Sequence, residues 1–143
     1  YQVGINRSRT KIYGGGGGRL FELEVSPGKP PRAEGVGPIY EPFDGQGEAP
    51  HNVLHAVVVA PDGRVYYPSA SGGRGCLFVY DPATKTKSYL GRMKVVNADA
   101  VDSVYASGGW AGCLAAGGTI YFGGVDYGAK QEQLCFFAFE PPG

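Results

Sequence analysis

Short, largely apolar runs separated by turn-forming residues recur along the chain. In residues 54–93 the runs LHAVVVA, RVYYPSA, CLFVYD and TKSYLGRM are separated by PDG, SGGRG and PATK. Asp-Gly is a strong signal for a tight hairpin turn, and each run has the length of a strand. The first and third runs are apolar on both faces, which is typical of a sheet that is covered on both sides. This stretch therefore predicts four antiparallel strands in a buried sheet.

The same pattern occurs three times, in residues 1–24, 54–81 and 109–140. Each segment has a β-branched residue followed by tyrosine, a glycine-containing connection, and an apolar run that ends on an acid shortly before a proline. The dipeptides are Ile12-Tyr13, Val65-Tyr66 and Ile120-Tyr121, and the apolar runs are Leu20 to Glu24, Leu77 to Asp81 and Phe136 to Glu140. The same alignment places His55 level with Gln2 and Trp110. A repeat of about 50 residues with four short strands is the signature of a propeller blade.

The repeats predict an all-β fold of β-propeller blades, with about three four-stranded antiparallel sheets. A single propeller segment would contain a partial blade in 1–40, a blade in 41–93 and a partial blade in 94–143. Three blades do not close a ring, since propellers have about four to eight. We therefore expect the remaining blades of the same protein, or another chain, to complete the ring and cover the two end sheets. The differing loop lengths of the repeats favour a piece of a longer protein over a symmetric assembly of chains. An ordinary β-sandwich is the alternative.

Two of the repeats resemble the Kelch motif. TIYFGGVDYG followed by CFFAFEP has the Kelch pattern of a strand ending in a glycine pair and a later strand ending in an aromatic residue, an acid and a proline. GRVYY followed by LFVYDPATK is similar. The chain departs from the motif at strand four, where Kelch blades carry a tryptophan and Tyr89 stands here. The resemblance, which extends to propellers of sugar-acting enzymes, implies a fold but no particular activity.

Composition narrows the classes of partner. Lys and Arg total 13, as do Asp and Glu, so the formal net charge is zero and nucleic acid is not an indicated partner. No apolar run is long enough to predict a membrane-spanning helix, so a membrane is not indicated either. The compartment stays undecided, with a secreted or periplasmic location left open.

The three cysteines, Cys76, Cys113 and Cys135, have no spacing typical of a metal site. Cys76 and Cys135 fall at equivalent places in successive blades. Packed sheets lie about 10 Å apart, which is too far for a disulfide. We therefore predict that these two residues are thiols.

The blade pattern divides the connections between two ends of the sheets. Short turns such as 61–63 and 82–84 lie at one end, and the longer connections 28–53, 67–75, 91–108 and 122–133 lie at the other. Gly14–Gly18 is the shortest of the equivalent connections; it lacks the Lys-Ser/Thr that a phosphate-binding P-loop requires. Because function concentrates in loops carried by a rigid scaffold, we expect a site at the end with the longer connections.

One hypothesis is a non-catalytic scaffold that binds a glycan or protein partner through these longer connections. Its candidate ligand-binding residues are Trp110, His55, Asp99, Asp102 and Lys130. An aromatic ring suits the C–H faces of a sugar. The two aspartates would serve either as ligands of a divalent metal or as an acid–base pair, unless they are simply a solvated loop. No cofactor is indicated, and the presence of a divalent metal is left open.

The alternative is a carbohydrate-active enzyme. Resemblance to propeller lyases implies a base that removes the proton next to a uronate carboxylate and a group that stabilises the resulting charge. His51 would be the base or a metal ligand, Tyr105 the acid, and Arg74 the partner of the carboxylate. We favour the scaffold because the chain has no nucleophile elbow, no zinc motif and no coherent catalytic set.

Overall fold

The computed structural model describes residues 2–16, 18–39, 54–71, 74–92, 109–126 and 133–142. These residues form three antiparallel sheets and include no helix, which confirms the all-β fold and matches the sheets expected of propeller blades. The first sheet contains β1 (Gly4–Ile5), β2 (Lys11–Gly16), β3 (Arg19–Glu24) and β4 (Arg32–Pro38). The second contains β5 (Val58–Val59), β6 (Val65–Ser71), β7 (Arg74–Asp81) and β8 (Thr86–Arg92). The third contains β9 (Gly109–Leu114), β10 (Ile120–Asp126) and β11 (Gln133–Phe139). Within each sheet the strands are neighbours in chain order.

Strand pairing has the same register in all three sheets. The tyrosine of each repeated dipeptide pairs with one residue of the inner strand and one of the third strand: Tyr13 with Gly4 and Glu22, Tyr66 with Val58 and Val79, and Tyr121 with Cys113 and Ala138. These are the positions that the sequence repeats align. The placing of Gln2 was wrong by one residue, because Gln2 lies two residues before Gly4 and so is level with Ala56 and Ala111.

The second sheet is buried on both faces. One face contributes Val65, Tyr67, Cys76, Phe78 and Tyr80 to a core shared with Tyr13 and Leu20 of the first sheet. The opposite face contributes Ala56, Val58, Tyr66 and Leu77 to a core shared with Ile120, Phe122 and Phe137 of the third sheet. Side chains alternate between the faces of a strand, so the adjacent Tyr66 and Tyr67 support different neighbours. The apolar character of both faces is thereby explained.

The inner hairpin turns share one geometry at the same end of the sheets. The N–H groups of Gly63 and Gly118 donate to the carbonyls of Ala60 and Ala115, each three residues earlier. Both glycines have φ near +90°, the left-handed conformation that closes a short hairpin at a G1 bulge. In the first sheet the turn is one residue longer, and Arg9 takes the left-handed conformation there.

The strand β4 was not predicted, since 28–53 was interpreted as a connection between blades. It pairs with β3 through a bulge at Leu20/Phe21, and β8 pairs with β7 through a bulge at the equivalent Leu77/Phe78. In each case the leucine pairs with a glycine of positive φ, Gly37 in β4 or Gly91 in β8. The repeated bulge shows that β4 is the fourth strand of its sheet, although its sequence lacks an apolar alternation.

Other boundaries also differ from those predicted. Both β6 and β7 extend into the connection expected over 67–75, since β6 ends at Ser71 and β7 begins at Arg74. The first three residues of the glycine run belong to β2, and Gly18, at φ +73°, lies in the turn before β3. The predicted strand 54–60 is paired only at Val58–Val59. Of the cysteines whose side chains the structure describes, Cys76 is buried, Cys113 is exposed, and neither forms a disulfide.

Candidate functional site

The inner strands β1, β5 and β9 approach one another, and Gln2 joins them. Its backbone N–H donates to the carbonyl of His55, at 2.9 Å. Its side-chain Nε2 donates to the carbonyl of Gly112 at 2.6 Å, and the N–H of Gly112 donates to its Oε1 at 2.8 Å. The edge of a strand presents unpaired backbone groups, and a side-chain amide supplies both a donor and an acceptor for them. Gln2 therefore connects all three sheets.

Close packing at this point depends on Gly112. A Cβ atom on this residue would lie 2.8 Å from side-chain carbons of both Phe122 and Val58. Carbon atoms in contact are normally about 3.5–4.0 Å apart, so only glycine allows the third sheet to approach the second this closely.

His55 and Trp110 lie at equivalent places beside this junction. Trp110 belongs to β9, at a bulge where the register shifts between Gly123 and Gly124, and His55 lies three residues before β5. Both are at the ends of the inner strands from which the longer connections leave. His55 is partly buried, and burial lowers the pKa of its imidazole because it disfavours the charged form. The structure thus places the neutral imidazole of His55 just before β5 and the only tryptophan of the sequence in the neighbouring strand β9.

The remaining predicted site residues are not brought together by the described structure. His51, Asp99, Asp102, Tyr105 and Lys130 lie outside the described residues. Arg74 was expected in a loop, but it is the first residue of β7, the third strand from the inner edge of its sheet. Both the enzymatic set and the aspartate pair therefore remain predictions.

Two cavities open at the opposite end, beside the short turns. A cavity of about 320 Å³ is lined by Ile5, Val59 and Leu114, with Arg7 at its rim. These three apolar residues occupy the same position in the three inner strands. Sequence reasoning missed this cavity, although continuing the repeat alignment into the inner strands would have grouped them. With one cation and an apolar lining, the cavity has no set of groups suited to catalysis.

The second cavity, of about 470 Å³, lies between the turns of the second and third sheets. Asp62 and Glu140 are its charged lining residues. One oxygen of Asp62 accepts from the backbone N–H of Arg64, and the other is 3.4 Å from the guanidinium of the same residue. The carboxylate of Asp62 is therefore already engaged in its own turn.

A polar cluster between the first and second sheets includes Lys11, Glu22, Tyr13 and Tyr80. The ammonium of Lys11 donates to the carboxylate of Glu22, and this hydrogen bond raises the pKa of Lys11. Burial raises the pKa of both tyrosines, and the negative charge of Glu22 adds to the effect. The two rings lie edge to face with centroids 6.3 Å apart. Both phenols remain protonated near neutral pH, and the cluster packs between the first and second sheets.

Within the described ranges, no group of three or more His, Cys, Asp or Glu side chains is arranged to hold a metal ion. The same part of the chain contains no helix of the length and hydropathy needed to cross a membrane. When the chain is compared with known proteins, no family model and no curated sequence matches it.

Proposed function

We propose that this chain is a β-propeller segment that acts as a binding scaffold, with a glycan or protein partner held at the end of the sheets where the longer connections leave. The observation that supports this proposal is the equivalent position, at that end, of His55, three residues before β5, and Trp110, in the neighbouring strand β9. Inner-strand residues are carried by a rigid scaffold, which is where binding residues are effective.

A glycan is the better supported of the two partners. Trp110 is the only tryptophan of the chain, and an aromatic ring binds the C–H faces of a sugar while neighbouring polar groups bind its hydroxyls. His55 lies at the equivalent place and is partly buried, and a neutral imidazole has one hydrogen-bond donor and one acceptor. The zero formal net charge agrees with a neutral ligand better than with a polyanion.

Tryptophan fluorescence offers a direct test, because a single residue produces the signal. We expect neutral or uronate-containing oligosaccharides to shift the emission of Trp110, and His55→Ala to weaken the binding by about tenfold or more, the effect of losing one hydrogen bond in a desolvated site. Thr119→Ala, in a short turn at the opposite end, is the matched control and should bind normally. Sugars that leave the emission unchanged, or a His55 variant that binds as tightly as the original chain, would argue against this site.

The same preparation tests the enzymatic alternative. A lyase that acts on uronates forms an unsaturated product whose absorbance can be followed continuously. Turnover that disappears in His51→Ala and persists in His55→Ala would favour the enzyme over the scaffold. Binding without turnover would favour the scaffold.

A further inference from the structure

The two end sheets each have an outer face that no described residue covers. The outer face of the third sheet, here called the leading face, carries Tyr121, Cys113 and Ala138 in one row and Phe136, Ala111 and Gly123 in the next. The outer face of the first sheet, here called the trailing face, carries Ile12, Ile5 and Leu23 in one row and Phe21, Val3 and Gly14 in the next. Both faces are apolar.

The interior of the protein shows what covers a leading face. The residues equivalent to Tyr121 are Tyr13 and Tyr66, which are 2% and 1% exposed because the next sheet packs on them, whereas Tyr121 is 43% exposed. The residues equivalent to Phe136 are Leu20 and Leu77, which are 0% and 6% exposed, whereas Phe136 is 83% exposed. At both positions the side chain is of the type that a following sheet buries.

The same comparison identifies the trailing face as the surface that receives such a sheet. Ile12 corresponds to Val65 and Ile120, both of which are fully buried against the preceding sheet. Phe21 corresponds to Phe78 and Phe137, which are also buried. The trailing face therefore repeats the pattern of two surfaces that are each seen in contact with a leading face.

We propose that the chain associates head to tail with a second copy of itself, the leading face of each copy packing on the trailing face of the other. One chain carries both halves of this contact. Two copies would bring six sheets together, within the range of about four to eight blades in propellers. The arrangement closes on itself, which head-to-tail contacts require if they are not to form filaments. This inference does not depend on the ligand proposed above.

Light scattering coupled to size-exclusion chromatography tests the proposal on the chain itself. We expect a species of twice the 15.0 kDa chain mass, forming as the concentration rises from about 1 to 100 µM. Phe136→Asp should raise the dissociation constant by at least about 30-fold, since it buries an unpaired charge at a central contact. Leu90→Asp is the matched control: Leu90 is an exposed apolar residue of β8, outside both end faces, and its substitution should leave association unchanged.

A mixing experiment separates head-to-tail association from other kinds. Phe136→Asp damages the leading face, and Val3→Asp damages the trailing face. In a mixture of the two variants, the intact trailing face of one meets the intact leading face of the other, so one of the two contacts of the pair is restored. The mixture should therefore associate more tightly than either variant alone, although less tightly than the original chain. A contact between two identical faces would not recover on mixing.

Cys113 offers a readout that requires no substitution. It is an exposed thiol on the leading face, and the equivalent Val58 is covered by the next sheet. Alkylation of Cys113, followed by peptide mapping, should slow as the protein concentration rises. A chain that stays monomeric over the whole range, with Cys113 equally reactive throughout, would overturn the proposal and would favour another polypeptide as the partner of these faces. Association that Phe136→Asp leaves intact would overturn it as well.

Discussion

Two neighbouring glycines of β2 provide a sharp test of how the first and second sheets pack. A Cβ atom on Gly15 would lie 2.5 Å from both Cβ and Cδ2 of Leu54, which is buried in the core between these sheets. A Cβ atom on Gly16 would have no atom within 4 Å. Both residues have ordinary strand conformations, so Gly15→Ala and Gly16→Ala differ almost entirely in this one contact.

The expected magnitude follows from the size of the overlap. Non-bonded carbons pack at about 3.5–4.0 Å, so the new methyl group would be at least about 1 Å too close to two atoms of Leu54. Leu54 cannot move into solvent, and the two sheets would have to separate. Overpacking of this kind costs about 1–3 kcal/mol, and we expect the upper half of that range for Gly15→Ala. Gly16→Ala should instead stabilise the strand by about 0.5–1 kcal/mol, because alanine loses less entropy on folding.

Urea unfolding followed by tryptophan fluorescence measures both variants under one set of conditions. Leu54→Ala combined with Gly15→Ala gives a second test. If the clash is the cause, adding Gly15→Ala to the Leu54→Ala background should cost less than it does in the original chain, because Cδ2 is removed while Cβ remains, a coupling of about 1 kcal/mol. Equal stabilities of Gly15→Ala and Gly16→Ala, or additive effects in the double variant, would refute the reasoning.

Three further predictions concern the bulge, the junction of the inner strands and the partly buried imidazole. Gly91→Ala should destabilise the protein by about 1–2 kcal/mol through backbone strain alone, since φ is +135° and the space around it is open, whereas Gly35→Ala, in equally open space without positive φ, should not; thermal unfolding compares them. Gln2→Met should cost about 1–3 kcal/mol and accelerate amide exchange at Gly112, and unchanged exchange there would contradict the assigned hydrogen bond. Because the pKa of His55 is lower in the folded state than in the unfolded state, the unfolded state takes up a proton first as the pH falls through about 6.5, and stability decreases there. His55→Gln should flatten this decrease in urea titrations at several pH values, and His51→Gln serves as the control.

The strands that carry the repeated dipeptides could be predicted because their side chains have to meet two neighbours. Val65 and Tyr66 are fixed by packing on opposite sides of the second sheet, and Tyr13 and Ile120 of the equivalent pairs are each buried against one neighbouring sheet. The side chains of β4, whose sequence is RAEGVGP, do not have to pack on two neighbouring sheets, since most of them are exposed. Its strand forms because the edge of β3 needs a partner, which is a tertiary effect that overrides local preference. Gly37 and Gly91 lie at matching bulges. They would have indicated β4 in the sequence only if the alignment of the repeats had been extended to the fourth strand.

The candidate site was harder to predict for a physical reason. Gln2 connects the three sheets through a partner 110 residues away in the sequence, and no local pattern encodes such a contact. Arg74 was assigned to a loop because SGGRG reads as a turn, yet it is the first residue of β7 and pairs with Ser71 of β6. Trp110 was expected at the start of an inner strand and is the second residue of β9, because the start of a strand follows directly from the position of the strand itself.

The proposed ligand site lies at the ends of the sheets, and the proposed contact between copies lies on their faces. This difference explains why the sequence repeat describes the contact faces much better than the ligand site. Every second side chain of a strand points to the same face of the sheet. Because protein interiors are close-packed, a badly fitting side chain on a face disturbs the packing of the neighbouring sheet, and the repeat is preserved on the faces for that reason. The ends carry connections, whose lengths tolerate change at small cost in free energy. The residues of a ligand site at the ends can therefore differ between repeats, whereas those of the proposed leading and trailing faces cannot. Tyr121 and Phe136 therefore still match their buried counterparts, whereas His55 and Trp110 share a position but not a chemistry.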